Sequence, residues 1–409
     1  MGIKEKNLPS VLRAASNDNI RIVTAGGLSK KISVDDFLMS FDIAETWMGF
    51  QNRVDSGNAP YYYPVGTQIS GLWSDGSNEY TVPWDIVDYD SEGNCFLKWH
   101  YATPTGVPFD EPEAIYYADG SESAGTCHIG IGTDYGGWST SKSIQLTLLS
   151  AMAAGDQLVL SLAANQATDP TAGIAWKVYG AGSTTVKQSG VTSNGTGGTN
   201  LGSTSTQGAG YTNGRVNAPQ RAVYGYNRWS QSAMRQWLNS EAAAGAWWSK
   251  QNSWDRPPAV AETLQGFLKG APASFLSVLR ATPVVTAINT VEGSANATET
   301  TNDKIFLPAL QQMYINPQLA DVEGESWEYF EMLAREAGLS GKFQQSGTYP
   351  ELITYNIADK ASPVAVRLRS AYRGTAGNAW YVDASGSVYS NSASNALRGC
   401  PACRIKKSV

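Results

Sequence analysis

Charge is scarce in this chain. Only 16% of its 409 residues are Asp, Glu, Lys or Arg, where about a quarter is usual. The formal net charge is −6, so no broad basic surface exists to follow a phosphate backbone, and nucleic acid is excluded as an expected partner. There are only two histidines, His100 and His128, far apart in sequence. A histidine-rich metal centre is therefore impossible, and any Ser-His-Asp triad must use one of these two. Four cysteines (Cys95, Cys127, Cys400 and Cys403) are too few to staple a chain of this size. No apolar run approaches the ~18 residues of a membrane-spanning helix, and the first residues lack the apolar stretch of a signal peptide. Lys6 also breaks the myristoylation pattern. The chain reads as a soluble product of a cytoplasm, with no membrane insertion.

What is plentiful is glycine, at 41 residues, and tryptophan, at 13. Together with low charge they indicate a loop-rich globule rather than a helical bundle or a disordered chain. Residues 1–46 stand apart. Residues 20–23 and 30–34 read as two strands about an Ala25-Gly26-Gly27 turn, and a short helix follows from Asp35. A lone hairpin with one helix buries too little surface to fold alone, so this segment is expected to be an attachment or oligomerisation arm.

The body is expected over residues 60–405. Strands are expected at 68–72 and 80–89. A further pair, 143–149 and 157–162, would be joined by the Ala154-Gly155-Asp156 turn, and 174–179 adds another strand. These define an expected β-rich insertion over about 95–190. In the window 180–214, 26 of 35 residues are Gly, Ser, Thr or Asn, which predicts a flexible surface loop. Helical spacing then appears at 230–238, capped by Ser230, at 261–269, and at 325–337 with Gly338 as its stop. Strands are expected at 284–288 and 304–307. The mixture implies an α+β fold.

The C-terminal stretch 363–405 carries the most information. Val364, Val366 and Leu368 alternate with Ala365, Arg367 and Arg369, as a strand does. Two arms, 379–383 and 387–391, flank Asp383-Ala384-Ser385-Gly386, a sequence suited to a hairpin turn. Trp380, Val382 and Val388 would point inward. Tyr381, Asp383, Ser387, Tyr389 and Asn391 would point outward, and residues 404–405 would close the sheet. A surface of Tyr, Ser, Asn and Asp has the composition of a recognition site, and equally that of an ordinary exposed hairpin.

The run AYRGTAGNAWYVDASGSVYSNSASNALRGCPACRI resembles the variable region of phage and prophage proteins diversified by retroelements, whose fold is a modified C-type lectin domain. The upstream segments YYYPVGTQI, YGYNRWSQSAMRQWLNSE, WWSKQNSWDRPP, GFLKG and NDKIFLPALQQMY are similar to members of the same group. The resemblance implies a C-type-lectin-like body bearing a variable-type region at 370–398. Its fixed framework would be Trp380, Val382, Gly386, Val388, Gly399, Pro401 and Arg404. The ligand-binding positions it implies are Tyr372, Thr375, Asn378, Tyr381, Asp383, Ser387, Tyr389, Ser390, Asn391, Ser392, Asn395 and Leu397. The implied role is a virion protein, made in a bacterial host, that binds a host cell-surface protein or glycan. Residues 1–46 would attach it to other virion proteins, and a homotrimer is expected. No enzymatic activity, cofactor or metal is expected. Two alternatives stay open: a structural capsid or tail decoration, and an oxidative enzyme like the formylglycine-generating enzymes.

The remaining motifs favour plain structural roles. Cys400-Pro401-Ala402-Cys403 precedes a terminal strand instead of opening a helix, so two buried small side chains are expected rather than a redox centre. Asp110-Glu111-Pro112-Glu113 resembles the calcium-binding Glu-Pro-Asn of sugar-binding lectins but lacks the Asn, and no Trp-Asn-Asp follows. Trp47, Trp73, Trp99, Trp247, Trp248 and Trp254 would staple a core sooner than stack on sugars.

Overall fold

The computed structural model describes residues 47–131, 142–162, 172–204 and 214–408, together with the backbone of two strands nearer the start. Those strands, Asn19–Val23 and Ser29–Ser33, pair antiparallel with Ile20 opposite Ile32. The helix expected from Asp35 lies outside the described residues.

The fold is α+β, rich in strand and with a few short helices. Its body is built on an antiparallel sheet in the order Ala402–Ile405, Cys95–Trp99, Glu79–Tyr89, Gln68–Ser74. The helix Trp47–Asp55 lays Trp47, Phe50 and Val54 against it. Aromatic rings fill the space between. Trp47 meets Trp84 edge-on at 6.2 Å, and Trp73 stacks on Phe267 at 5.3 Å. Burying one tryptophan removes about 200 Å² from water, worth roughly 5 kcal/mol before entropy. Trp47, Trp73, Trp99 and Trp247 are buried, and Trp248 and Trp254 are partly so.

A second hydrophobic core lies in an insert between the body's strands. One four-stranded sheet runs Val186–Val191, Ala175–Tyr179, Gln157–Leu160, Tyr116–Tyr117. The other runs Ser193–Asn194, Lys142–Leu148, Gly125–Ile131, Thr199–Ser203, the last pair parallel. Cys127, Ile129 and Ile131 alternate inward from one sheet, and Trp176 and Val178 from the other, onto a single cluster.

The insert departs from the sequence expectation in three ways. Cys95–Trp99 belongs to the body sheet, because it pairs with both Glu79–Tyr89 and the terminal strand. Strands 142–148 and 157–160 do not pair with each other. They sit in opposite sheets, each turning its apolar face to the shared core. The low-complexity window is not one loop. It supplies three strands between residues 186 and 203, with Leu201 buried, because each pairs with a strand of the insert whose apolar face is already anchored in the core, which overrides weak local propensity. Residues 205–213 of that window lie outside the described residues.

The helical segments also shift. The helix expected at 230–238 splits into a 3₁₀ turn, Trp229–Gln231, and an α-helix, Ala233–Leu238. Ser230 is not the cap: its hydroxyl donates to Glu299. Ser232 caps instead, accepting from the Arg235 amide at 3.1 Å. A Ser232→Ala chain should lose about 1–2 kcal/mol, read as a lower urea midpoint at unchanged slope. Residues 261–269 form no α-helix but two 3₁₀ turns, Ala259–Glu262 and Phe267–Gly270. The carbonyls of Leu264 and Gln265 between them accept the indole N–H groups of Trp247 and Trp237. The strand expected at 304–307 ends earlier, as Thr298–Asp303, because the Asn239 side chain takes the amides of Lys304 and Ile305. Glu328–Glu336 is helical, followed by Gly338 at φ +75°.

Candidate binding surface

The C-terminal hairpin forms where the turn chemistry places it. Asn378–Val382 pairs with Val388–Ser392, Tyr381 opposite Tyr389 and Val382 opposite Val388. The Asp383 carboxylate organises the turn, accepting from the Ser385 amide, the Ser385 hydroxyl and the Ser387 amide at 2.7–2.9 Å. Burial alone would raise this carboxyl's pKa. The hydrogen bonds from Ser385, Ser387 and Gly386 outweigh it and hold the group below its ordinary value.

Trp380, Val382 and Val388 point inward. Tyr389 is 43% exposed, and Tyr381, Asp383, Ser390, Asn391 and Ser392 are partly exposed. Ser387 does not face solvent as expected. It is 5% exposed, and its hydroxyl meets that of Thr348 at 2.7 Å because residues 346–349 lie over the turn. Asn395 is exposed. Leu397 is partly buried in a short strand paired with Val107–Pro108, and Tyr372 leans on Trp380 at 5.6 Å.

Thr375, Asn378, Ser390, Asn391 and Ser392, spread over two arms and a loop, come together with Gln220 and Tyr224 around an open recess of about 270 Å³. None of the seven lining side chains carries a formal charge. Gln220 and Tyr224 belong to the helix Pro219–Tyr224, whose last carbonyl accepts the Ser394 amide. That wall was not legible in the sequence.

Two buried residues fix this surface from beneath. Asn227 donates its amide to the carbonyls of Tyr372, Thr375 and Asn378 at 2.6–3.1 Å. Arg367 donates to the carbonyls of Ala379, Asn391, Ser392 and Asn395 at 2.7–3.3 Å. Burial pulls the Arg367 pKa down to about 9, with Tyr381 acting in the opposite direction. The alternation of Arg367 and Arg369 with apolar residues suggests a strand with one wet face. Instead Val366–Ala371 is buried along its whole length.

Other candidate groups fall elsewhere. His100 bonds Asp85 at 3.0 Å and His128 approaches the Gly197 carbonyl at 3.2 Å; no Ser-His-Asp arrangement forms among these contacts. Cys400 and Cys403 are buried free thiols. Burial raises the pKa of both, that of Cys403 well above the usual thiol range. A second recess of about 270 Å³ is lined by Asp88, Glu323, Glu325, Trp327, Arg369 and Arg404, among others. Its Asp88 carboxyl is pushed up to about 7 by burial and by repulsion from Glu328 and Glu325.

Oxygens of Asp110, Glu113 and Asp255 approach within 4.8 Å of one another, all three residues buried. Arg221 grips Glu113 at 2.6 and 2.7 Å. Burial, with the neighbouring carboxylates, raises the pKa of Asp110 and brings Asp255 to about 7. Asp110-Glu111-Pro112-Glu113, without the lectin Asn, gives no expectation of a metal here. The missing partner, Asp255, lies too far along the chain for any local spacing rule to find.

Residues 211–407 match a family described as "Domain of unknown function (DUF6273)". The matched span takes in the hairpin, the Asn227 clamp, Arg367 and the terminal strand. No curated protein and no solved structure matches the chain.

Proposed function

We propose that this chain is a phage receptor-binding protein. Its body would have a C-type-lectin-like fold, and it would recognise a host cell-surface protein or glycan through the hairpin and the recess beside it. The observation carrying this reading is the contrast between a locked frame and a soft surface. Buried Arg367 and Asn227 hold the backbone carbonyls of the loop and both arms. The side chains above are Tyr, Asn, Ser and Thr, which supply rigid contact area and adaptable hydrogen bonds at little entropic cost. Such a frame tolerates exchange of its outer residues, because it grips main-chain atoms common to every residue type. Attachment would run through residues 1–46, and several copies on one particle would raise avidity.

The oxidative alternative loses support from the cysteines. A redox pair needs an accessible thiolate, and Cys400 and Cys403 are buried with raised pKa values.

The test is host-cell adsorption by particles carrying Asn378→Ala, Tyr381→Ala and Tyr389→Ala together. Adsorption should fall at least about tenfold, the loss of one or two good contacts, while the purified variant keeps its circular dichroism and cooperative melt. Unchanged adsorption by a folded variant would overturn the proposal.

A further inference from the structure

The joint between body and insert holds a feature that the receptor reading does not use. Asp110 follows the short strand Val107–Pro108 of the body, and its amide donates to the Ala393 carbonyl just beyond the hairpin. Asp255 is tied to the insert. Gln157 donates to its carbonyl and to that of Ser253, and the Trp254 carbonyl accepts the Ala114 amide. The two carboxyl groups meet between these anchors, in residues only 2% and 1% exposed.

Each is satisfied from outside on one oxygen only. Asp110 Oδ2 accepts the Tyr226 amide at 3.1 Å, and Asp255 Oδ2 accepts the Gln251 amide at 2.8 Å. No other residue donates to Asp110 Oδ1 or Asp255 Oδ1, although both are buried. The two side chains hydrogen-bond each other instead. Ionised carboxylates are acceptors only, so this contact requires a proton on one of them.

The surrounding charges do not relieve the pair. Glu113 faces it from the same segment, with both oxygens already held by Arg221, Asn217 and Asn252. Arg221 is shared with Glu292, which also accepts the Tyr226 hydroxyl, and Arg228 is paired with Glu299. Arg256 lies over the Tyr179 ring and faces Glu111. Every guanidinium near the pair is engaged elsewhere.

We propose that Asp110 and Asp255 share one proton, and that this proton latches the insert to the body. Its departure to a base in solution leaves two buried carboxylates facing each other, so segment 251–255 parts from the strand end at Asp110 and the joint loosens. The latch is closed in acid and opens as pH rises, and it does not depend on the receptor reading. Burial, with the neighbouring carboxylates, raises the pKa of Asp110 and brings Asp255 to about 7. The stabilisation is therefore complete below the ordinary carboxylate pKa and drains away as pH rises through neutrality.

The experiment compares the full wild-type chain with Asp255→Asn, whose amide donates to Asp110 and has no proton to lose. Urea denaturation between pH 4 and 8 should show the wild type losing up to about tenfold in folding equilibrium constant per pH unit relative to the variant, the linkage of one proton. Asp88 and Glu323, also raised by burial, are common to both chains and drop out of the comparison. At pH 6 the infrared spectrum of the wild type should hold the carbonyl band of one protonated acid that the variant lacks. Hydrogen exchange at residues 113–118 and 251–256, corrected for the intrinsic rate, should quicken towards pH 9 in the wild type alone. Asp110→Asn should behave in the same way and replaces the first variant should that chain fail to fold. Coincident pH slopes, a missing carbonyl band, or joint exchange that ignores pH would each overturn the proposal.

Discussion

An Arg367→Ala chain is expected to lose on the order of 4 kcal/mol of stability, because several buried carbonyls lose their donor at once and a cavity opens beneath the hairpin. The four carbonyls belong to Ala379, Asn391, Ser392 and Asn395, two arms and the following loop. Urea denaturation should show the midpoint falling steeply. Arg367→Lys should recover little, since a single ammonium cannot span acceptors that a planar guanidinium reaches with two nitrogens. Recovery close to wild type by lysine would mean that charge, and not the fork geometry, holds the surface.

Gly386→Val should cost about 3 kcal/mol or more, through a left-handed backbone forbidden to β-branched residues and a direct clash. Gly386 sits at φ +83°. A Cβ there would lie 2.0 Å from the Tyr349 carbonyl oxygen and 3.2 Å from Ile353. The Tyr349 amide also donates to the Gly386 carbonyl at 3.0 Å, so the turn cannot move away without breaking that bond. Ala384→Ser, at an exposed position of the same turn, should stay within about 0.5 kcal/mol. Thermal melts of the two variants side by side separate turn strain from a general effect of mutating the hairpin.

The hairpin itself was readable because its cues are local. Asp383 and Gly386 specify the turn, and Trp380, Val382 and Val388 specify the buried face. Pairing partners were not readable. Alternation shows that 142–148 and 157–160 are strands, but it is silent about which sheet each joins. Buried polar residues were hidden for a related reason. An arginine inside a strand pattern reads as exposed, and only the fold reveals that Arg367 is fully buried against main-chain acceptors. Ser387 was misplaced because its cover, Thr348, comes from a distant segment. The recess beside the hairpin was half legible: its hairpin residues were expected, whereas Gln220 and Tyr224 come from a helix the sequence had not suggested.

The terminal strand Ala402–Ile405 pairs with Cys95–Trp99, and Ala402 also bridges Phe306. Contacts this distant along the chain form late. A nascent chain can therefore assemble the insert early, but the body sheet lacks this strand until residues 402–405 have been made. Any product ending prematurely within or just after the hairpin lacks that strand altogether. Such shortened chains would expose the unpaired edge of Cys95–Trp99 and be left to proteolysis, so the hairpin is displayed only on a body whose sheet is finished.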